Sequence, residues 1–257
     1  MFELNKIYQM DCLEYMDGLI AQGVKVDAII TSPPYYNARE YSFYETYEDY
    51  LLFIKKVFVK SHSLLKSDSF LIINVSPVIE PRANRNKKSK RYPIPFDIVS
   101  ILTRNGFEFI DDIIWEKPEG AAPNRNGGFC RTRKPKSYKP NNVTEYILVF
   151  QRDDSGLIDK YLKNNSLVKG DYERSNIWKI NPETKSEHTA PFPLDLPTKL
   201  CRYYTYENDT VLDCFMGSGT TAVAAKQTKR NFYGCELDPN YIAIANKRLE
   251  QVQGSLF

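Results

Sequence analysis

Asp213-Cys214-Phe215-Met216-Gly217-Ser218-Gly219-Thr220-Thr221 is the stretch from which the fold is read. An apolar strand over 210–215 runs into its two glycines, and 221–226, Thr-Ala-Val-Ala-Ala-Lys, reads as the start of a helix. Glycines at a strand-to-helix turn let the backbone take open φ values and come close to a ligand. The helix start adds unpaired N–H donors. A second strand over 231–237 carries Glu236, 23 residues beyond Asp213. An acid at about that spacing, on the tip of the neighbouring strand, is where a ribose diol is gripped. The stretch reads as a nucleoside-cofactor site. Gly217-x-Gly219-x-x-Ala222 also fits the dinucleotide fingerprint, and a plain strand-turn-helix stays open. A phosphate-binding P-loop is disfavoured, because no Gly-Lys-Ser/Thr follows.

Upstream, a helix over 196–204 delivers the chain to this element. Five further strands are expected before it, over 6–10, 26–31, 69–75, 107–115 and 144–150, with helices over 13–19, 47–65 and 95–104. Only one strand follows the glycines. A nucleoside-binding strand sits inside an open parallel sheet, so its neighbours on one side must come from the N-terminal half. The spacing predicts a doubly wound, mostly parallel, seven-stranded α/β sheet whose chain starts halfway through, in a single domain over 1–257. Strand tips at Asp11, Ser32, Asp213 and Glu236 would then line one carboxyl edge.

The strand over 26–31 is apolar enough to be buried on both faces. It stops at Ser32-Pro33-Pro34-Tyr35, where two prolines end any ladder and hold the neighbouring hydroxyl, carbonyls and ring in fixed directions. Aromatics crowd the segment that follows, Tyr35, Tyr36, Tyr41, Phe43, Tyr44, Tyr47 and Tyr50, without a clear period of 2 or 3.6. That irregularity argues against a purely core role. Residues 151–187 read as polar and irregular apart from one patch over 176–180.

Of the 257 residues 42% are hydrophobic and 26% charged, the balance of a soluble globular protein with a sizeable core. No run approaches the roughly 20 apolar residues of a membrane span, and Met1-Phe2-Glu3-Leu4-Asn5-Lys6 lacks the apolar region of a signal peptide. Five scattered cysteines, with no C-x-x-C, read as reduced and structural, which points to the cytoplasm and to no metal. His62 and His188 have no metal-ligand spacing; His62 reads as a helix-surface residue.

Net charge is +3, unevenly spread. Arg82, Arg85, Lys87, Lys88, Lys90 and Arg91 fall in 81–95 without an acid. Lys117, Arg125, Arg131, Arg133, Lys134, Lys136 and Lys139 fall in 117–140 against Glu119 alone. The two segments carry +12, which leaves −9 for the remainder. A solvated lysine-rich face is the plain reading. Two cationic loops on an acidic body favour a polyanion footprint instead.

Thr31-Ser32-Pro33-Pro34-Tyr35, followed far downstream by Asp213-x-Phe215-x-Gly217-Ser218-Gly219-Thr220-Thr221, closely resembles the S-adenosylmethionine-dependent DNA amino-methyltransferases. The order, catalytic motif first and cofactor motif last, is that of their β class. The likeness takes in Asp11, Thr144-Glu145-Tyr146-Ile147-Leu148 and His188-x-Ala190-Pro191-Phe192-Pro193. It is weakest over about 80–94, 117–142 and 151–187, segments that in this family read the target sequence.

The resemblance implies a Rossmann-like methyltransferase sheet and a role for each matched residue. Gly217, Ser218, Gly219 and Thr220 would pack on the methionine portion of S-adenosylmethionine, with Asp213 near its ammonium and Phe215 and Phe192 as apolar walls. Glu236 would accept from the ribose and Asp11 from the adenine amino group, although Asp11 equally suits a helix N-cap. Ser32, Pro33, Pro34 and Tyr35 would receive a base flipped out of double-stranded DNA, stacked on Tyr35. Its amino nitrogen would displace the methyl group directly, with positioning supplying most of the catalysis. Arg39, Arg82, Arg85, Lys87, Lys88, Arg91, Arg125, Arg131, Arg133, Lys134, Lys136 and Lys139 would contact the DNA. Ser at the head of the motif is typical of cytosine-N4 enzymes, whereas adenine-N6 relatives usually carry Asp or Asn.

Carbon-5 methylation would need a cysteine after a proline, and none of the five qualifies. A nicotinamide-dependent oxidoreductase and a DNA-binding protein with a dead methyltransferase fold are the competing readings. A cognate restriction endonuclease and a monomeric or homodimeric state complete the expectations.

Overall fold

Strands that are apolar at nearly every position need a covering layer on each face, and this sheet has both. The structure, a computed structural model, describes residues 1–37, 44–80, 89–121, 127–154, 167–168, 170–182 and 193–254. In chain order the elements are β1 (Ile7–Gln9), α1 (Cys12–Ala21), β2 (Val26–Thr31), α2 (Tyr47–Leu64), β3 (Leu65–Val75), β4 (Val78–Glu80), β5 (Lys90–Tyr92), α3 (Ile94–Thr103), β6 (Phe107–Glu116), α4 (Gly127–Thr132), β7 (Thr144–Arg152) and β8 (Ile177–Lys179). After these come α5 (Asp195–Tyr204), β9 (Thr210–Asp213), α6 (Thr220–Gln227), β10 (Asn231–Glu236) and α7 (Pro239–Gly254).

Eight strands form one sheet in the order β1-β10-β9-β2-β3-β7-β6-β8, and β4 and β5 make a separate hairpin. Every pairing in the large sheet is parallel except those of β7 with β3 and with β6. The doubly wound, mostly parallel sheet agrees with the sequence reading, and β2 lies beside β9 as the late glycine motif demanded. The count is eight rather than seven. The extra strand is β8, the patch inside the segment read as irregular, where Ile177, Trp178 and Lys179 pair with Ile114, Trp115 and Glu116 of β6. A three-residue strand gives little periodicity of its own; its pairing with β6 defines it.

Alternation along the strands divides the core. Ile29, Leu71, Ile73, Leu148, Phe150 and Leu212 face one side with α1, α2 and α3. Ala28, Ile30, Ile72, Ile147, Val149 and Val211 face the other, against Leu196, Leu200 and Cys201 of α5 and Ala224 of α6. The aromatic segment belongs to the first side. Tyr36 and Tyr50 are buried, and Tyr36, Tyr47 and Tyr92 pack with ring centroids 4.6–5.3 Å apart. Its lack of period therefore reflects a loop and a helix start packing across α3, and these tyrosines are core after all. Tyr41 and Phe43 lie outside the described residues.

Helix ends are set by local chemistry. Asp11 caps α1, accepting from the N–H groups of Leu13 and Glu14. Thr46 and Asp49 form a capping box on α2. Asp238 accepts from the Asn240 N–H, with Pro239 opening α7.

Candidate active site

Parallel strands put their carboxyl ends on one edge, and that edge carries a cavity of about 540 Å³, within the usual range for a small-molecule site. Ser32, Pro33, Pro34 and Tyr35 enter it from the end of β2. Asp213, Phe215, Gly217, Ser218 and Thr220 enter from the end of β9, and Glu236 from the end of β10. Two motifs almost 180 residues apart thus share one hollow.

The glycine turn is built against both neighbours. Gly217 and Gly219 have φ of 51° and 81°, left-handed values that suit glycine. A Cβ on Gly219 would sit 2.6 Å from the Ala245 Cβ and 3.0 Å from its Cα, so α7 lies directly behind the turn. From the same helix the Arg248 guanidinium donates to the Ser218 carbonyl at 2.8 Å, the Ser218 hydroxyl at 3.1 Å and the Thr220 hydroxyl at 3.0 Å. Small side chains make this packing possible: Thr221, Ala222, Ala224 and Ala225 of α6 are all buried. Glu236 closes the other side. One of its oxygens accepts from the Gly217 N–H at 2.7 Å and the other from the N–H groups of Leu237 and Asp238 at 2.9 Å.

Asp213 is 4% exposed, and its Oδ1 accepts from the Thr31 hydroxyl at 2.6 Å and the Phe215 N–H at 3.0 Å. Burial pushes its carboxyl up to about 6; the bonds from Thr31, Thr221 and Phe215 hold it from rising further.

The far wall holds a polar cluster. Glu145 is the second residue of β7, and its Oε2 accepts from the Tyr35 hydroxyl at 3.0 Å and from Asn74 Nδ2 at 2.8 Å. Its Oε1 is paired with the Lys117 ammonium, which also lies over the Trp115 ring, 4.6 Å from its centroid. Burial raises the Tyr35 phenol well above its usual range, and the Glu145 charge raises it further. A hydrogen bond with Ser32 works in the opposite direction. Asn74, Trp115, Lys117, Glu145, Asp238 and Tyr241 line the cavity without having been singled out as site residues.

Other expected site residues lie elsewhere. Gly219 sits behind the cavity rather than on its wall, and Asp11, the α1 cap, is not among the lining residues. Arg91 is on the exposed hairpin strand β5, where it donates to the Asn142 side chain at 2.7 Å. Arg131, Arg133, Lys134, Lys136 and Lys139 are all exposed in and after α4. Lys117, counted in the same basic stretch, is turned inward to Glu145. Arg39, Arg82, Arg85, Lys87, Lys88, Arg125, His188 and Phe192 fall outside the described residues. His62, half-buried and 3.8 Å from Asp153, groups with Asp153 and Asp154 beside the opposite edge of the sheet. Among the described residues the five cysteines are unbridged, and no helix is long and apolar enough to cross a membrane.

Residues 26–247 match the model of a family described as DNA methylase. The Type II beta methyltransferase M.BslI of Bacillus sp. (strain NEB-606) is 33% identical over 86% of this chain, which spans only 25% of that relative. Type II methyltransferase M1.MboII of Moraxella bovis is 28% identical over 98% of this chain and 99% of its own length. A protein of Thermus thermophilus, whose crystal structure is a complex with S-adenosyl-L-methionine, superposes with a TM-score of 0.74 at 26% identity, covering 96% of this chain and 93% of that one.

Proposed function

The chain belongs to the DNA methylase family of the N6/N4 type, and from that premise we propose that it transfers a methyl group from S-adenosylmethionine to the N4 amino group of a cytosine flipped out of double-stranded DNA. The observation that carries the proposal is the single cavity shared by Ser32-Pro33-Pro34-Tyr35 and the Asp213–Glu236 elements.

The cavity residues suit the cofactor chemically. The Gly217–Thr220 turn has left-handed backbone at both of its glycines, Asp213 offers a buried carboxyl for an ammonium, and Glu236 offers lone pairs for a diol. Bound there, S-adenosylmethionine would supply a methyl group activated by its sulfonium. The chain's own contribution is orientation. The stiff Pro33-Pro34 backbone fixes the Pro33 carbonyl, and with the Ser32 hydroxyl it holds the amino group so that the nitrogen lone pair faces the methyl. The Tyr35 ring stacks on the base and offsets part of the few kcal/mol that flipping costs. The exposed basic groups from Arg131 to Lys139, with Arg91 on the hairpin, supply phosphate contacts. A partner endonuclease belongs to the same proposal, on the strength of the Type II names of the relatives.

Cytosine is preferred over adenine because Ser32 heads the motif. Methylate unmodified DNA with the protein, digest it to nucleosides and identify the product by mass spectrometry. N4-methylcytosine is expected. N6-methyladenine as the sole product would overturn the base assignment while leaving amino-methylation in place.

Glu236→Ala is expected to weaken S-adenosylmethionine binding by about 1–3 kcal/mol in calorimetry, since charge-assisted hydrogen bonds are lost and the Gly217 N–H loses its acceptor. DNA affinity should stay within about twofold. Unchanged cofactor affinity would remove Glu236 from the ribose site.

A further inference from the structure

The two motifs that share the cavity leave the sheet from neighbouring strands. The β2–β9 ladder pairs Ala28 with Val211 and Ile29 with Leu212. Past that point Thr31 ends β2, its backbone still held on the other side opposite Ile73 of β3. Its hydroxyl crosses to the end of β9 and donates to Asp213 Oδ1 at 2.6 Å. A carboxylate accepts, so the hydroxyl is the donor. Thr31 is 1% exposed and Asp213 4%, so bulk water does not compete for the bond. The Phe215 N–H reaches the same oxygen at 3.0 Å. Donors arriving from two directions on one oxygen set the rotation of the carboxyl group. Thr31 brings its hydroxyl on a branched side chain with few rotamers, which makes it a stiff support. Asp213 lines the cavity, and Thr31 is not among the lining residues.

We infer that Thr31 is a positioning residue whose hydroxyl holds the Asp213 carboxyl in the orientation that receives the ammonium of the cofactor. The inference rests on the S-adenosylmethionine reading and adds to it the group that sets its ammonium site. Desolvation is the largest influence on Asp213 and opposes the charge that an ammonium needs; the Thr31 bond opposes desolvation, with Thr221 and Phe215 acting alongside it. The ionisable groups facing Asp213 are Glu236 and the Cys235 thiol of β10 and the adjacent Cys214 thiol. Glu236 also works against ionisation, and burial pushes both thiols up. Hydrogen bonds are therefore what favour the ionised form.

Two variants separate this role from simple packing. Thr31→Val keeps the shape and removes the donor, whereas Thr31→Ser keeps the donor and removes a methyl group. Cofactor affinity is measured by calorimetry from about pH 5 to about pH 8. The Asp213 titration is followed by carbon NMR in the cofactor-free protein, and kcat is measured at saturating cofactor and DNA. Thr31→Val should bind S-adenosylmethionine about tenfold more weakly at about pH 7.5. Its Asp213 midpoint should lie above that of the wild type. The ammonium then has to displace a proton that is held more tightly, so affinity should begin to decline at a higher pH on acidification. Saturation hides a loss of ground-state binding, so kcat should stay within about threefold. Thr31→Ser should stay within about threefold of the wild type in affinity and kcat. A valine variant that binds within about threefold of the wild type, with the Asp213 midpoint unmoved, would overturn the inference. So would a serine variant as weak as the valine one, because the lost methyl contact would then be the cause. Thr31→Ala replaces Thr31→Val if the latter does not fold, and is read in the same way. A wild type that binds no S-adenosylmethionine would refute the cofactor reading, and this inference with it; the midpoint in cofactor-free protein still reports the Thr31 bond by itself.

Discussion

Gly219→Val is expected to give a protein that melts at a markedly lower temperature and no longer binds S-adenosylmethionine measurably. Two costs coincide at this position. The residue has φ of 81° at the N-terminus of α6, a region where a β-branched side chain is strained by about 1–3 kcal/mol. Its first side-chain atom would also lie 2.6 Å from the Ala245 Cβ and 3.0 Å from the Ala245 Cα. The second contact is with the backbone of α7, which cannot rotate away. Relief requires α7 to shift, and Arg248 on that helix holds Ser218 and Thr220. The cradle would therefore be displaced with it. Overpacking adds about 1–3 kcal/mol, so a total of about 2–6 kcal/mol is expected, a large part of an ordinary domain's stability. Differential scanning calorimetry and cofactor titration measure the two effects. Gly219→Ala should fall between, and a valine variant with wild-type melting would show that the turn is not packed so closely.

Asp213 is expected to make cofactor binding pH-dependent near pH 6. Its buried carboxyl is pushed up to about 6 by desolvation, with the Glu236 charge acting in the same direction. A raised carboxyl reverses the usual sign for an acid. Between about pH 4 and 6 the native protein holds a proton that the unfolded chain has lost, so this group's contribution is full below about 4 and declines as pH rises through 6, by roughly 3 kcal/mol. An ammonium placed beside Asp213 favours the ionised form, so binding should release a proton below about pH 6. Affinity should drop by up to about tenfold from about pH 6 to about pH 5. Asp213→Asn keeps an oxygen for Thr31 and Phe215 but has no charge to offer. Its affinity at about pH 7.5 should be about 10–100-fold lower, and flat with pH over the same window. A slope that survives in the asparagine variant would assign the titration to another group.

Much of this protein is decided by local sequence. Doubly buried strands, the double proline that stops β2, the glycines after β9 and the acid ending β10 each report a backbone requirement within a few residues of themselves. Parallel strand order then brings Ser32, Asp213 and Glu236 to one edge. Asp238 followed by Pro239 is a local signal for the start of α7, yet the close approach of Ala245 to Gly219 and the grip of Arg248 on the turn have no such signal. They depend on how two helices pack. The same holds for Glu145. Inspection of strand carboxyl ends passes over it, because it lies at the amino end of the one strand that runs the other way. Lys117 reads in the sequence as one more positive charge in a basic stretch; only the pairing of β6 with β7, which sets Trp115 opposite Glu145, turns that charge inward. Local chemistry along the chain determined the fold and both motifs. Which side chains meet between the motifs was decided by strand direction and register, distances that no spacing along the chain encodes.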